Sequence, residues 1–191
     1  MAINLVEAIQ KELGYAPLQK INPNETHSAI AFTDQSMRLA QAAIPATLAG
    51  LYKLSRTPEG CEKILSGNFY SDKVNKTFGA EAEEMVLHIA TFASVSKEKA
   101  HTTCEAIAEC GIKIMHNNLK AVPSVNNVRD FFTAQRNNIL PYLVPELKTG
   151  NVIHDNTIDD RTNKMKGPVS SFMHLIEQFF SDSDESITPK K

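Results

Sequence analysis

The residues with the clearest capacity for chemistry are His101, Cys104 and Glu105, which lie close together near the middle of the chain. If this segment is helical, spacings of three and four residues place their side chains on adjoining positions of one face, as metal ligands on a helix require. A zinc site usually draws on a second close ligand pair, and the sequence contains no further pair of that kind. Cys104 also lies on the apolar stripe of the predicted helix, where a free cysteine acts as a small hydrophobic residue. We therefore predict core packing for this segment, with metal binding as the less favoured alternative.

The remaining titratable residues have structural explanations. His88 lies at the edge of an apolar helix face, and no nucleophile in a recognisable context accompanies it. Three glutamates cluster at a predicted helix start, where negative charge offsets the helix dipole: Glu81, Glu83 and Glu84. The sequence contains no glycine-rich phosphate loop, no nucleophile elbow and no H-E-x-x-H zinc motif. We predict no catalytic residue, no cofactor and no metal ligand, and the balance favours a protein that is not an enzyme.

A stripe of small residues is the first candidate interaction surface, and it comprises Ala43, Ala46 and Gly50. Small residues spaced by three and four positions let another helix approach closely. We favour packing within the chain for this stripe, and a groove for a partner helix or peptide is the alternative. Pro45 lies within the same helix and removes the hydrogen bond to the carbonyl of Gln41, so we predict a bend or break between these two residues.

The C-terminal part of the chain holds the second candidate interaction surface. A polar connector over residues 148–167 precedes an amphipathic helix over residues 168–182, and residues 183–191 form a tail that we expect to be disordered. Three large side chains share one face of this helix: Phe172, Ile176 and Phe179. Such a short helix is stable only when docked. We therefore predict that it docks on the main bundle, either of its own chain or of a second copy.

The elements that position these residues are helices. Apolar residues recur with helical period throughout residues 1–147, and no segment shows sustained period-two alternation. Helix starts are predicted at Asn4, at Thr57-Pro58, at Ser96 and at Ser124, and a further start is expected between Asn24 and Thr33. We predict an all-α fold, a compact bundle of about seven or eight helices.

Composition narrows the classes of partner and compartment. The chain has 20 basic and 22 acidic side chains, spread evenly, so it has no basic stripe of the kind that binds nucleic acid. No apolar run approaches the roughly 18 residues that a membrane span needs. Its 3 cysteines, Cys61, Cys104 and Cys110, are predicted to be free thiols of a cytoplasmic protein, because an odd, scattered set does not make a disulfide framework.

One segment resembles a known family. Residues 42–60, AAIPATLAGLYKLSRTPEG, resemble the signature of a bacterial group, the domain-of-unknown-function family 937, in which an Ile-Pro pair, a Gly-Leu pair and a Thr-Pro-Glu-Gly run follow one another. The similarity covers residues 30–120, and Phe78-Gly79 and Ser94-Val95-Ser96 depart from the family pattern. The resemblance implies an all-helical fold and a bacterial origin. It implies no catalytic or binding residues.

Taken together, these features predict a non-enzymatic protein-interaction or structural module that associates with a protein partner or with itself. The alternative is a helical protein that binds a small molecule or a metal through chemistry that the sequence does not reveal. A polar-lined pocket with converging titratable groups would favour the alternative, and an exposed apolar patch would favour the interaction module.

Overall fold

The computed structural model describes residues 3–21, 34–66, 69, 71–119, 123–144 and 147. Within these residues the chain forms seven α-helices and no β-strand, which confirms the predicted all-α bundle. The helices are α1 (Leu5–Leu13), α2 (Gln35–Leu54), α3 (Pro58–Leu65), α4 (Lys73–Phe78), α5 (Ala82–Ala93), α6 (Lys97–Asn118) and α7 (Val125–Ile139). Short 3-10 turns occupy Gly79–Glu81 and Leu140–Tyr142. The predicted connector, C-terminal helix and tail lie outside the described residues.

Helix α2 is the centre of the bundle. Thirteen of its residues are buried, and α1, α4, α5, α6 and α7 all contact it. A helix that is apolar on every side is stable when other helices enclose it, because each face then leaves water. The long helix α6 is its main neighbour and contributes a buried stripe that includes Cys104, Ile107 and Met115. One continuous core results, and it fixes the relative positions of α4, α5 and α6.

Two expectations for α2 concerned its continuity and its first residue. The helix is continuous from Gln35 to Leu54 with Pro45 inside it, so the break that was one of the two predicted outcomes between Gln41 and Pro45 is absent. A bend at this position stays a prediction. Both residues are buried, and packing of α2 by its neighbours on all sides holds the helical conformation through the proline. The helix also begins later than the predicted interval that ends at Thr33. Asp34 is extended, with φ of −118°, and its carboxylate accepts the N–H of Ser36 as the cap.

The other predicted helix starts are confirmed. The Asn4 side chain accepts the N–H groups of Val6 and Glu7, and the Thr57 hydroxyl accepts the N–H of Gly60 directly after Pro58 begins α3. The other two predicted caps are serines: Ser96 caps α6 and Ser124 caps α7. These caps satisfy N–H groups that have no partner within their own helix, so they fix where each helix begins.

Candidate functional site

The small-residue stripe lies in the interior of the bundle. Ala43 is fully buried, Ala46 is 5% exposed, and Gly50 packs against Thr77 and Phe78 of α4. The close approach of α4 to α2 depends on the missing side chain at Gly50. The stripe therefore packs within the chain, as we favoured, and in this conformation it presents no groove to a partner.

The second candidate surface is the apolar face of the predicted C-terminal helix. Phe172, Ile176 and Phe179 lie outside the described residues, as does the whole segment from residue 148 onward. Their docking in cis or in trans stays a prediction.

The structure separates the three residues that the sequence grouped on α6. Cys104 is fully buried in the core, and burial raises the pKa of its thiol to about 11, an effect that the neighbouring Thr47 hydroxyl partly offsets. Cys61 and Cys110 are also buried, and all three thiols are free, as predicted. A thiol that stays protonated and enclosed is neither a metal ligand nor a nucleophile at neutral pH. Cys104 is therefore a core residue.

His101 and Glu105 instead converge with Asp72, which precedes α4. One ligand atom from each of these three side chains lies within 4.8 Å of those of the other two. Asp72 is exposed, and His101 and Glu105 are half-buried, so the cluster is at the surface of the bundle where α4 crosses α6. We call Asp72, His101 and Glu105 the α4–α6 cluster.

Hydrogen bonds orient the two carboxylates of the α4–α6 cluster. The N–H of Val74 donates to Glu105 Oε1 at 2.6 Å, so a glutamate of α6 satisfies an N–H group in the first turn of α4. Asp72 occupies the position that normally caps α4, but its side chain makes no capping bond. It accepts instead from Asn75 Nδ2 at 2.7 Å. Asp72 also adopts a left-handed conformation, with φ of 55°, which aspartate tolerates better than most residues.

Lys73 supplies a positive charge beside this cluster. Its side chain is only 9% exposed, and its ammonium lies 3.5 Å from Glu105 Oε2 and 3.3 Å from Glu109 Oε2. The aliphatic stem is buried while the charged end meets two carboxylates, so desolvation of the ammonium is offset by ion pairing. Asp72, Glu105 and Glu109 together with Lys73 carry a formal charge of −2.

A shallow, widely open cleft adjoins the cluster between α4, α5 and the first turns of α6. Its volume is about 470 Å³, and His101 belongs to both the cleft and the α4–α6 cluster. Three buried apolar residues line its floor: Val74, Ala82 and Val86. Polar and charged residues line the rest: Asn75, Glu83, Lys97, Glu98 and Thr102. The Lys97 ammonium lies 3.7 Å from Glu83 Oε1, so both signs of charge are present at the rim.

His88 has the structural role that the sequence indicated. Its Nδ1 is hydrogen-bonded to the carbonyl of Leu147, and its Nε2 lies 3.8 Å from Glu84 Oε1. The side chain is 26% exposed. The imidazole joins α5 to the end of the described bundle, and we assign it no chemistry.

Sequence reasoning missed Asp72 and the cleft. Asp72 is 29 positions before His101, and only the packing of α4 across α6 brings the two together. The four-residue spacing of His101 and Glu105 was the one signal in the sequence, because it places both side chains on one face of α6. Cys104 lies close to this face but points into the core, so it does not belong to the cluster.

The chain matches no protein-family model, no curated protein and no solved structure. No helix among the described residues combines the length and the apolar character needed to cross a membrane. The assignment of a site therefore depends on the geometry of the chain itself.

Proposed function

We propose that this chain is a non-enzymatic helical binding module that holds a small ligand in the cleft between α4, α5 and α6. The observation that carries this proposal is the cleft itself, about 470 Å³ in volume, with an apolar floor and a polar rim that includes His101. Ligand pockets in proteins fall in the range of about 300–1,000 Å³ and combine apolar walls with a few placed polar groups. Of the two functions expected from the sequence, this geometry favours the small-molecule or metal-binding alternative.

The lining indicates the class of ligand. The floor of Val74, Ala82 and Val86 accommodates a small apolar group, and removal of that group from water favours binding. At the rim, His101 and Asn75 offer hydrogen-bond donors and acceptors, while Glu83 and Lys97 offer opposite charges. A small amphipathic molecule with a polar or zwitterionic end fits this arrangement.

Two observations support binding without catalysis. Burial raises the pKa of both Cys104 and Cys110 to about 11, so neither thiol is a nucleophile at neutral pH. The hydroxyl of Thr102, which lines the cleft, donates to the carbonyl of Glu98 at 2.7 Å. Its proton is thus held by a backbone acceptor rather than by a side-chain base, and activation of a hydroxyl nucleophile requires such a base.

A fragment screen with a cleft-blocking variant tests the proposal. Thr102→Trp places a large ring in the cleft, and Thr91→Trp is the matched control. Both threonines are exposed on helices and donate to the carbonyl four residues earlier, at 2.7 and 2.8 Å, but only Thr102 lines the cleft. In ligand-observed NMR on the metal-free chain, we expect small amphipathic fragments to bind the native chain. The same fragments should bind the Thr91→Trp variant and should not bind the Thr102→Trp variant. Hits that survive in Thr102→Trp, or a screen without hits, contradict the proposal.

The protein-interaction function stays a second proposal, and the amphipathic sequence of residues 168–182 supports it.

Membership of the domain-of-unknown-function family 937, and with it a bacterial origin, is likewise proposed from the residues in common. A cytoplasmic location is proposed from the three free, buried thiols, which suit a reducing compartment.

A further inference from the structure

We infer that the α4–α6 cluster binds a divalent transition-metal ion, with Zn²⁺ as the representative ion, through Asp72, His101 and Glu105. This inference deepens the proposed function, on which it rests, because His101 belongs to both the cleft and the cluster. It names a ligand class that the cleft alone does not indicate.

The donor set selects this class of ion. One imidazole nitrogen and two carboxylate oxygens are ligands that Zn²⁺ accepts, and three protein ligands are the number found in open zinc sites. Hard cations such as Ca²⁺ prefer six to eight oxygen ligands, which these residues do not supply. Cys104 takes no part, because its thiol is enclosed in the core.

The geometry requires only small side-chain movements. The ligand atoms lie within 4.8 Å of one another, and zinc–ligand bonds of about 2.0–2.2 Å place tetrahedral ligand atoms about 3.4 Å apart. Asp72 is exposed and the other two residues are half-buried, so we expect side-chain rotations to bring the three atoms together while the helices stay in place. The bonds from Val74 to Glu105 and from Asn75 to Asp72 restrain both carboxylates in the way that outer-shell partners orient metal ligands.

The electrostatics of the cluster favour a dication. The three carboxylates of Asp72, Glu105 and Glu109 outnumber the two nearby ammonium groups of Lys73 and Lys76, the second of which donates to Ser71 beside Asp72, so the surroundings keep a net negative formal charge. The Lys73 ammonium lies 3.5 Å from Glu105 Oε2, whereas Glu105 Oε1 accepts the N–H of Val74. Each carboxylate oxygen has two lone pairs, so Glu105 can bind an ion while it keeps its contact with α4.

The cleft gives the ion an accessible coordination position. His101 both lines the cleft and belongs to the cluster, so an ion bound by the three residues is next to the cleft. An open zinc site completes its coordination with water or with an external ligand. A polar group of a molecule in the cleft is well placed to fill that position.

Isothermal titration of the EDTA-treated full chain with Zn²⁺ tests this inference. We expect one ion per chain, with binding weakened at least about tenfold by His101→Ala, which removes one of three ligands, and by Asp72→Asn, which replaces a carboxylate ligand with a neutral amide. His116→Ala on the same helix and Cys104→Ala, one turn from His101, are the controls and should bind as the native chain does. Ca²⁺ should not compete.

X-ray absorption of the zinc-loaded native chain provides a second readout that needs no variant. We expect nitrogen and oxygen ligands at about 2.0–2.1 Å and no sulfur ligand at about 2.3 Å. Sulfur in the first shell, unchanged affinity in His101→Ala, equal binding of Ca²⁺, or no saturable binding overturns the inference. Failure here is distinguishable from failure of the proposed function, because the fragment screen uses the metal-free chain and reads the cleft alone.

Discussion

Gly50 on α2 lies directly against Thr77 on α4, and a Cβ atom at position 50 would lie 2.6 Å from Cγ2 of Thr77. The same atom would lie 2.9 Å from Cε1 of Phe78. Real Cβ contacts are longer, so any side chain at Gly50 pushes α4 away from α2. Because Asp72, Lys73 and Val74 lie at the start of α4, this contact also sets the position of the candidate site.

The first prediction is that Gly50→Ala destabilises the chain. Overpacking costs about 1–3 kcal/mol, and the gain in helix propensity offsets about 1 kcal/mol of this. We expect a net loss of up to about 2 kcal/mol in the free energy of unfolding, measured by denaturant titration. Gly111→Ala is the matched control, since its Cβ would meet Leu48 and Leu51 at an ordinary 3.5 Å. That variant should be neutral or stabilising, and equal losses in both would refute the close-packing explanation.

The second prediction concerns Gln41, which is 1% exposed and joins two parts of the chain. Its Oε1 accepts the N–H of Gln19 at 2.8 Å, and its Nε2 donates to the carbonyls of Gln19 and Tyr142 at 3.0 and 3.1 Å. Gln41→Met keeps the volume but removes these bonds, which should cost about 1–3 kcal/mol of unfolding free energy. Gln19→Ala should change stability by less than about 0.5 kcal/mol, because Gln19 contributes only backbone groups. A comparable loss in both variants would mean that the side chain of Gln41 is not the connection.

The third prediction concerns the pH dependence of stability. The Cys104 thiol has a pKa of about 11 in the folded chain against 9.0 for an ordinary cysteine. As pH rises from 9 to 11, the unfolded chain loses this proton first, so the folded state loses stability over that interval and keeps it in full below pH 9. Relative to the native chain, Cys104→Ala should therefore show a smaller fall in unfolding free energy over that interval, by up to about 2–3 kcal/mol. Parallel pH profiles for the two proteins would show that the folded-state pKa of Cys104 is not raised.

The fourth prediction concerns the C-terminal segment. Docking of residues 168–182 should bury large apolar side chains, each worth about 1.5–3 kcal/mol. Truncation after Lys148 should lower the melting temperature and increase the binding of a hydrophobic dye. Phe172→Ala in the full chain should show the same changes to a smaller extent. A truncated chain that matches the full chain in both measurements would make this segment a dispensable appendage.

The contrast between the caps and Asp72 shows what the sequence predicts and what it does not. Thr57, Ser96 and Ser124 act on N–H groups within three residues of themselves, so local sequence is sufficient to place the helix starts. Helical period likewise places Cys104 on a buried face. Both effects are local, and both predictions were confirmed.

The place of Asp72 in the cluster depends on tertiary structure, because the packing of α4 across α6 decides which residues its side chain contacts. The break that was one of the outcomes predicted at Pro45 is absent for a related reason. Its local effect is to break a helix, yet neighbouring helices enclose α2 and keep it continuous. Residues whose role depends on contacts distant in sequence are the ones that a single sequence leaves open.

The most direct test of a metal site in the α4–α6 cluster, next to the cleft, is a ¹H–¹⁵N NMR titration of the full chain with Zn²⁺. We expect saturable shifts at one equivalent that are concentrated in residues 71–75, 82–86 and 97–105, the segments that form the cleft and the α4–α6 cluster. The amide signals around His116 should stay in place. Shifts centred on His116 or on other residues away from the cleft, or no saturable shift at all, would contradict the assignment of this site.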